Sequence, residues 1–218
     1  MNCAPAILAP SLAVVPGGRF RMGSEDGRPD ERPVRLVEVE SFQLGRTPVT
    51  NAEYACFVGV GAPAPPYSGD RAFSAPGQPV VGVTWFEAAA FAEWLSVELG
   101  GRWRLPTEAE WERAARGGLE GAPTAWGDRI PDGEIPSGPL DGPWQVGRGT
   151  PNGFGLFDMG TIVHEWCLDA YPGDPPRRAS RGGSWRHRVR WSPPSARSSL
   201  PPLLRYADYG IRVLRELP

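Results

Sequence analysis

Lysine is absent from this chain: every one of its 23 basic residues is arginine. Set against 25 acidic residues, they leave a formal charge of −2, too small a field to draw the protein to nucleic acid or a membrane surface. The lysine-free composition is the mark of a GC-rich genome, not of a function. Cysteine is scarce. Cys3, Cys56 and Cys167 are odd in number and far apart, with no C-x-x-C pair and no zinc spacing. This argues against a disulfide framework and for buried free thiols in a reducing compartment. Long apolar runs are missing as well. The N-terminal stretch MNCAPAILAPSLAVVPGG lacks a basic start and is interrupted by prolines, so it reads as neither signal peptide nor membrane span. The expectation is a cytoplasmic protein with no nucleic-acid or membrane partner.

Glycine (28), proline (26) and tryptophan (9) are abundant. Glycine and proline at this level suit disorder, but disordered chains are poor in aromatic residues. A folded, loop-dominated domain packed around tryptophan satisfies both facts. At 218 residues, the chain has room for one domain with a sizeable core. Three helix starts carry a capping box, a threonine followed three residues later by glutamate. They are Thr50–Glu53, opening a helix to about Val58, Thr84–Glu87, opening one to about Leu99, and Thr107–Glu110, stopped by Gly117-Gly118. Ala88, Phe91, Ala92, Leu95 and Leu99 recur at helical spacing in the second. Strands are expected at residues 19–22, 35–42 and 210–214. Residues 120–155 read as ordered loop, because Trp126, Trp144 and Phe154 need somewhere to pack. The fold class is α+β with little regular structure.

Seven stretches occur in order: GGRFRMG (17–23), LGRTPVTN (44–51), PVVGVTW (79–85), RLPTEAEWE (104–112), NGFGLFDM (152–159), RGGSW (181–185) and GIRV (210–213). Together they make the chain resemble the formylglycine-generating enzyme, or sulfatase-modifying factor, family, whose fold is a variant of the C-type lectin fold. The resemblance implies a single domain over residues 14–218, with 1–13 as an N-terminal extension. It also implies an activity, oxidation of a client sulfatase's cysteine by O₂, that needs two copper(I)-binding cysteines in the loop after G-G-S. Here those positions hold His187 and Ser192, and no cysteine follows Cys167. Soft Cu(I) prefers thiolate, so copper is not expected. Cys167, in an H-E-W-C context, reads as core.

A structural calcium is implied at the family position formed by the side chains of Asp158 and Glu165 and the backbone carbonyls of Thr161 and Val163. Both carboxylates are the hard oxygen donors that Ca²⁺ requires. The family's Gly-Asn dipeptide is Thr161-Ile162 here, at a cost in strain if residue 161 needs a positive φ. A capped turn and a surface charge would account for the same two carboxylates without metal. The family's second calcium site depends on a loop that is shortened around 130–145.

Ser184 matches the family's groove serine, and both histidines of the chain match groove positions. His164 replaces a tryptophan, and His187 replaces the first copper ligand. Ser184, His164 and His187 are the catalytic candidates, although no base is evident beside the serine and no third strong ligand beside the two imidazoles. Arg186, Arg188, Arg190 and Arg197 lie close in sequence to Trp185 and Trp191, with Tyr206 further on. Guanidinium groups near aromatic faces suit carboxylate, phosphate or planar ligands; an arginine-coated, solvated face is the plainer account. The first reading is a domain that no longer makes formylglycine and binds a peptide, protein or small molecule around residues 184–209. The second is an oxidase or modifying enzyme of altered chemistry using His164 and His187. Authentic formylglycine formation through an unorthodox metal site ranks last.

Overall fold

The computed structural model describes residues 7–132, 140–186 and 193–218. The three α-helices among these residues, α1 (Asn51–Gly59), α2 (Trp85–Leu99) and α3 (Glu108–Arg116), begin where the capping boxes place them. In each, the threonine hydroxyl accepts the backbone N–H of the glutamate, and the glutamate side chain accepts the threonine N–H. Two backbone donors that the helix cannot use are thereby satisfied. α3 stops at Gly117, whose φ of 57° is left-handed. α2 buries Ala88, Phe91, Ala92 and Leu95, the spacing read from the sequence, against Tyr54, Trp103 and Trp166.

The terminal regions share one antiparallel sheet. β1 (Leu12–Val15) and β10 (Leu214–Glu216) flank β4 (Phe42–Gly45), and β5 (Trp103–Arg104) completes the order β1-β4-β10-β5. β1 begins inside the segment read as an extension, and the Ser11 carbonyl already accepts the Arg46 N–H at 2.7 Å. β2 (Gly18–Met22) and β3 (Arg35–Val39) form a separate two-stranded ribbon. The strand expected over 35–42 therefore divides, its two halves joining different sheets. The one expected at 210–214 divides likewise, into β9 (Tyr209–Gly210) and β10.

The second four-stranded sheet, ordered β8-β7-β6-β9, comes from β6 (His164–Tyr171), β7 (Asp174–Arg181), β8 (Arg197–Leu200) and β9. All its pairings are antiparallel except β6 with β9. The sequence did not announce this sheet. The first four residues of β6 are buried consecutively, so they do not alternate, and β7 carries two prolines directly after its first residue and holds three arginines. The sheet is what places residues 182–186 and 206–209 beside the start of β6. None of the helices among the described residues is long and apolar enough to cross a membrane.

Candidate functional site

The segment after β7 is laid along residues 160–162. Gly183 donates to the Gly160 carbonyl at 3.2 Å, and Trp185 donates to the Ile162 carbonyl at 2.9 Å. Gly182 permits the approach: its φ is 78°, and a Cβ there would stand 3.0 Å from Gly160 Cα and 3.1 Å from the Trp111 ring. Ser184 is thereby buried, and its Oγ donates to Asp208 Oδ2 at 3.1 Å. The Asp208 carbonyl in turn accepts the His164 N–H at 2.9 Å. The His164 ring, 8% exposed, stacks on Tyr209 with centroids 4.8 Å apart. The structure thus brings Ser184, His164 and Asp208 together. Asp208 is a site residue that sequence reasoning missed, because nothing around one aspartate in a run of Tyr, Ala and Gly marks it.

Among the described residues, Ser184, His164 and Asp208 do not form a nucleophilic triad. A triad places an imidazole between hydroxyl and carboxylate so that it can take the hydroxyl proton. Here, among the described residues, Ser184 is bonded directly to the Asp208 carboxylate, with no imidazole between them. His164 packs against aromatic core, as the tryptophan expected at that position would. His187 lies outside the described residues, as do Arg188, Arg190, Trp191 and Ser192.

A rim surrounds these groups. Trp185 is half-buried, its indole donating to the Ala207 carbonyl at 3.3 Å and its ring edge-on to Phe73. The exposed Arg186 guanidinium lies 5.0 Å from the Trp185 ring centroid. Tyr206, 43% exposed, sits 6.0 Å from Tyr209. Arg197 does not join this rim. It pairs with Glu108 (Nε to Oε1, 2.9 Å), donates to the Asp30 carbonyl and stacks on Tyr171. It belongs to a largely buried ionic network in which Glu112 pairs with both Arg116 and Arg181.

The calcium set divides in two. Asp158 is 1% exposed; Oδ2 accepts the Gly147 N–H at 2.7 Å, while Oδ1 has no hydrogen-bonding partner among the described residues. Burial pushes its pKa up, with a smaller contribution of the same sign from Glu165. Thr161 Oγ1 is likewise buried without a partner among the described residues. Two buried, unsatisfied oxygens fit a hard cation. Glu165 does not fit as a free ligand. Fully buried, it accepts from the Arg212 guanidinium, whose Nε–H is shared between its two oxygens (2.9 and 3.1 Å) and whose Nη2 donates at 2.9 Å, and from Trp111 Nε1 at 2.5 Å. Positive φ falls on Asp158 (58°) and Gly160 (81°), not on Thr161, so the missing glycine at 161 carries no backbone strain. Among the described residues, no group of three or more His, Cys, Asp or Glu side chains could hold a metal.

The described thiols are Cys56, on α1, and Cys167, on β6. Cys167 is fully buried, and burial pushes its pKa well up, so it is an unreactive core thiol, as its sequence context suggested.

A family model, the sulfatase-modifying factor enzyme 1-like domain, matches residues 2–217. The formylglycine-generating enzyme of Thermomonospora curvata is 31% identical, over 78% of this chain and 75% of that protein. The inactive C-alpha-formylglycine-generating enzyme 2 of Mus musculus is 32% identical, over 81% of this chain and 74% of that protein. Among solved structures, PvdO from Pseudomonas aeruginosa superposes with a TM-score of 0.83 at 28% identity, covering 96% of this chain and 95% of that one.

Proposed function

The chain belongs to the sulfatase-modifying factor enzyme 1-like domain family, and from that premise we propose that it is a divergent member that has lost formylglycine formation and binds a peptide, protein or small-molecule ligand in the groove around residues 184–209. The observation that carries this reading is the groove's chemistry. Its hydroxyl is tied to a carboxylate, Ser184 to Asp208, and its sequence offers no cysteine beyond Cys167, a thiol fully buried in β6. Copper(I) oxidase chemistry requires soft thiolates, and the groove has none to supply. What it offers is recognition: Arg186 over Trp185, the exposed Tyr206 ring and a buried Ser–Asp pair, a mixture of aromatic area and oriented polar groups that suits ligand binding. One relative, the mouse protein, is called inactive.

A calcium ion held by Asp158, with Thr161 and Val163 beside it, belongs to this reading as a structural element. A reducing cytoplasm suits the thiol of Cys167.

The test has two arms. Mass spectrometry of a C-x-P-x-R peptide incubated with the protein, with and without Cu(I), is expected to detect no aldehyde; enzyme-like turnover would overturn the reading. Panning a displayed peptide library is expected to enrich sequences that bind the parent and lose at least tenfold in affinity to Arg186→Ala and Tyr206→Ala, with unfolding temperature unchanged. Enrichment insensitive to both variants would place the binding elsewhere.

A second reading, altered oxidative or modifying chemistry, draws on the convergence of His164 with Ser184 and Asp208. One equivalent of a transition metal in protein purified without chelator would move it to first place.

A further inference from the structure

Arg35 leaves the β2–β3 ribbon on its inward face. It stands directly opposite Met22, and residues so paired project to the same side of an antiparallel ribbon. Met22 is 4% exposed, which identifies that side as the one turned to the body of the protein. The guanidinium lies against Met22, with Nη2 3.5 Å from Sδ, and a thioether is only a weak acceptor. Met22 and Arg35 together line a cavity of about 220 Å³, whose wall also includes Arg32, Glu31, Glu112 and Arg181. Its sides are fastened. The Gly23 N–H donates to Glu112 at 2.7 Å, Arg116 donates to the Gly23 carbonyl at 2.8 Å, and Ser195 Oγ donates to Glu31 at 2.6 Å.

The carboxylates of the cavity are already answered. Glu112 pairs with Arg116 and Arg181, Glu31 with Arg28, and Asp30 with Arg28 and the Tyr171 hydroxyl. Behind the wall, Glu108 neutralises Arg197. Arg32 and Arg35 are left over. Arg32 spends its Nε on the Gly27 carbonyl at 2.8 Å, and neither guanidinium has a carboxylate partner among the described residues. Glu25, in the same loop, accepts the Val34 N–H at 3.0 Å instead. Two uncompensated like charges on one small cavity repel each other, and an anion between them removes that repulsion. The order of approach favours it as well: Arg32 and Arg35 are exposed, whereas Glu31 and Glu112 are buried. A solute entering from solvent therefore meets the arginines first.

We propose that the mouth of this cavity is a second binding site, for a small phosphate-type dianion held between Arg32 and Arg35, either free phosphate or the phosphate group of a small monoester. A guanidinium presents its N–H groups in a planar fork that matches the oxygens of such an anion. A monocarboxylate would balance only one of the two surplus charges. The site shares no residue with the rim of Trp185, Arg186 and Tyr206, so the proposal stands whether or not the groove binds a ligand.

Inorganic phosphate, methyl phosphate and acetate are the probes, each titrated into ¹⁵N-labelled protein at about pH 7, where a monoester phosphate is largely dianionic. Chloride holds the ionic strength constant, so that screening does not change. The expected result is saturable amide shifts confined to residues 22–35 and 195–197 with either phosphate, and weaker binding of acetate. Tighter binding of methyl phosphate identifies a monoester as the occupant, and tighter binding of inorganic phosphate the free ion; both support the site. Arg35→Gln and Arg32→Gln should each weaken phosphate binding about tenfold or more, as loss of a charge-assisted hydrogen bond does, with unfolding temperature in chloride unchanged. Arg21→Gln removes the same charge from the opposite face of the ribbon, where Arg21 pairs with the exposed Leu36, and should leave binding as it was. Shifts that fail to saturate, acetate bound as tightly as phosphate, or an Arg35→Gln variant with the parent's affinity would overturn the proposal. So would an equal loss in Arg21→Gln, the sign of a diffuse positive field and not of a site.

Discussion

Asp158 stands in the left-handed region with φ 58°, is buried, and among the described residues finds a hydrogen-bonding partner for one of its two oxygens. Asparagine tolerates the same backbone and can keep the Gly147 hydrogen bond without the charge, so Asp158→Asn isolates the carboxylate's ionisation. The sign follows from the raised pKa. A carboxylate whose folded pKa lies above its unfolded value favours folding while protonated, and that contribution is lost as pH rises through the folded pKa. With chelator at pH 7 the ionised, buried Asp158 is therefore a burden, and the asparagine variant should unfold at a higher temperature than the parent. The gap should close as pH falls through the carboxylate range. Calcium should reverse the order, because a ligand at a hundredfold excess over Kd adds about 2.7 kcal/mol to the parent alone. Comparing variant with parent at each pH is essential. Glu110 has the opposite sign: burial opposes its ionisation, but Arg104 at 2.7 Å and the cap of α3 hold its pKa down, so its contribution is lost in acid. A parent indifferent to calcium in thermal unfolding would remove the metal from this position.

At the scale of elements, what was legible was local. Thr50, Thr84 and Thr107 each close a capping box within four residues, so the starts of α1, α2 and α3 could be read without knowing the fold. β6, β7 and β8 could not, because their identity as strands depends on partners far along the chain: Ser180 opposite Trp166, and Arg178 opposite Leu200. The site was legible in the same proportion. Ser184 announced itself in G-G-S-W, whereas Asp208 acquires meaning only when β9 lies parallel to β6. Glu165 shows the converse, a residue read as a calcium ligand that is committed to Arg212 across the sheet boundary. Removing it leaves a guanidinium with no exposed surface and no carboxylate, which typically costs about 3–5 kcal/mol. Glu165→Ala should therefore lose that much stability in urea titrations with calcium and with chelator alike. A loss that appears only in calcium would return Glu165 to the metal.

At the scale of the whole molecule, the connectivity leaves no part free to fold by itself. β4 receives β1 from the beginning of the chain and β10 from its end. Arg212, just before β10, is bonded to the carbonyls of Gly45 and Phe157 as well as to Glu165, joining β4, the Asp158 loop and β6 at one buried point. Most buried apolar side chains among the described residues fall into three clusters, and these elements run between two of them: Trp166 packs in one and Cys167 in the next, while Val213 and Leu214 divide in the same way. Melting one cluster thus strips contacts from its neighbour, the condition for all-or-none unfolding. Far-UV circular dichroism, which follows the strands and helices, and near-UV circular dichroism, which follows tryptophans in all three clusters, should give coincident transitions. Leu214, which has no exposed surface and pairs across β4 with Leu44, tests the linkage from the C-terminal end. Leu214→Ala should cost about 2–5 kcal/mol and shift both signals together, whereas Leu203→Ala, at a residue 72% exposed, should change stability by less than about 0.5 kcal/mol. Two resolved transitions, or a Leu214→Ala variant in which only one signal moves, would mean that the terminal sheet and the sheet built on β6 are separate folding units.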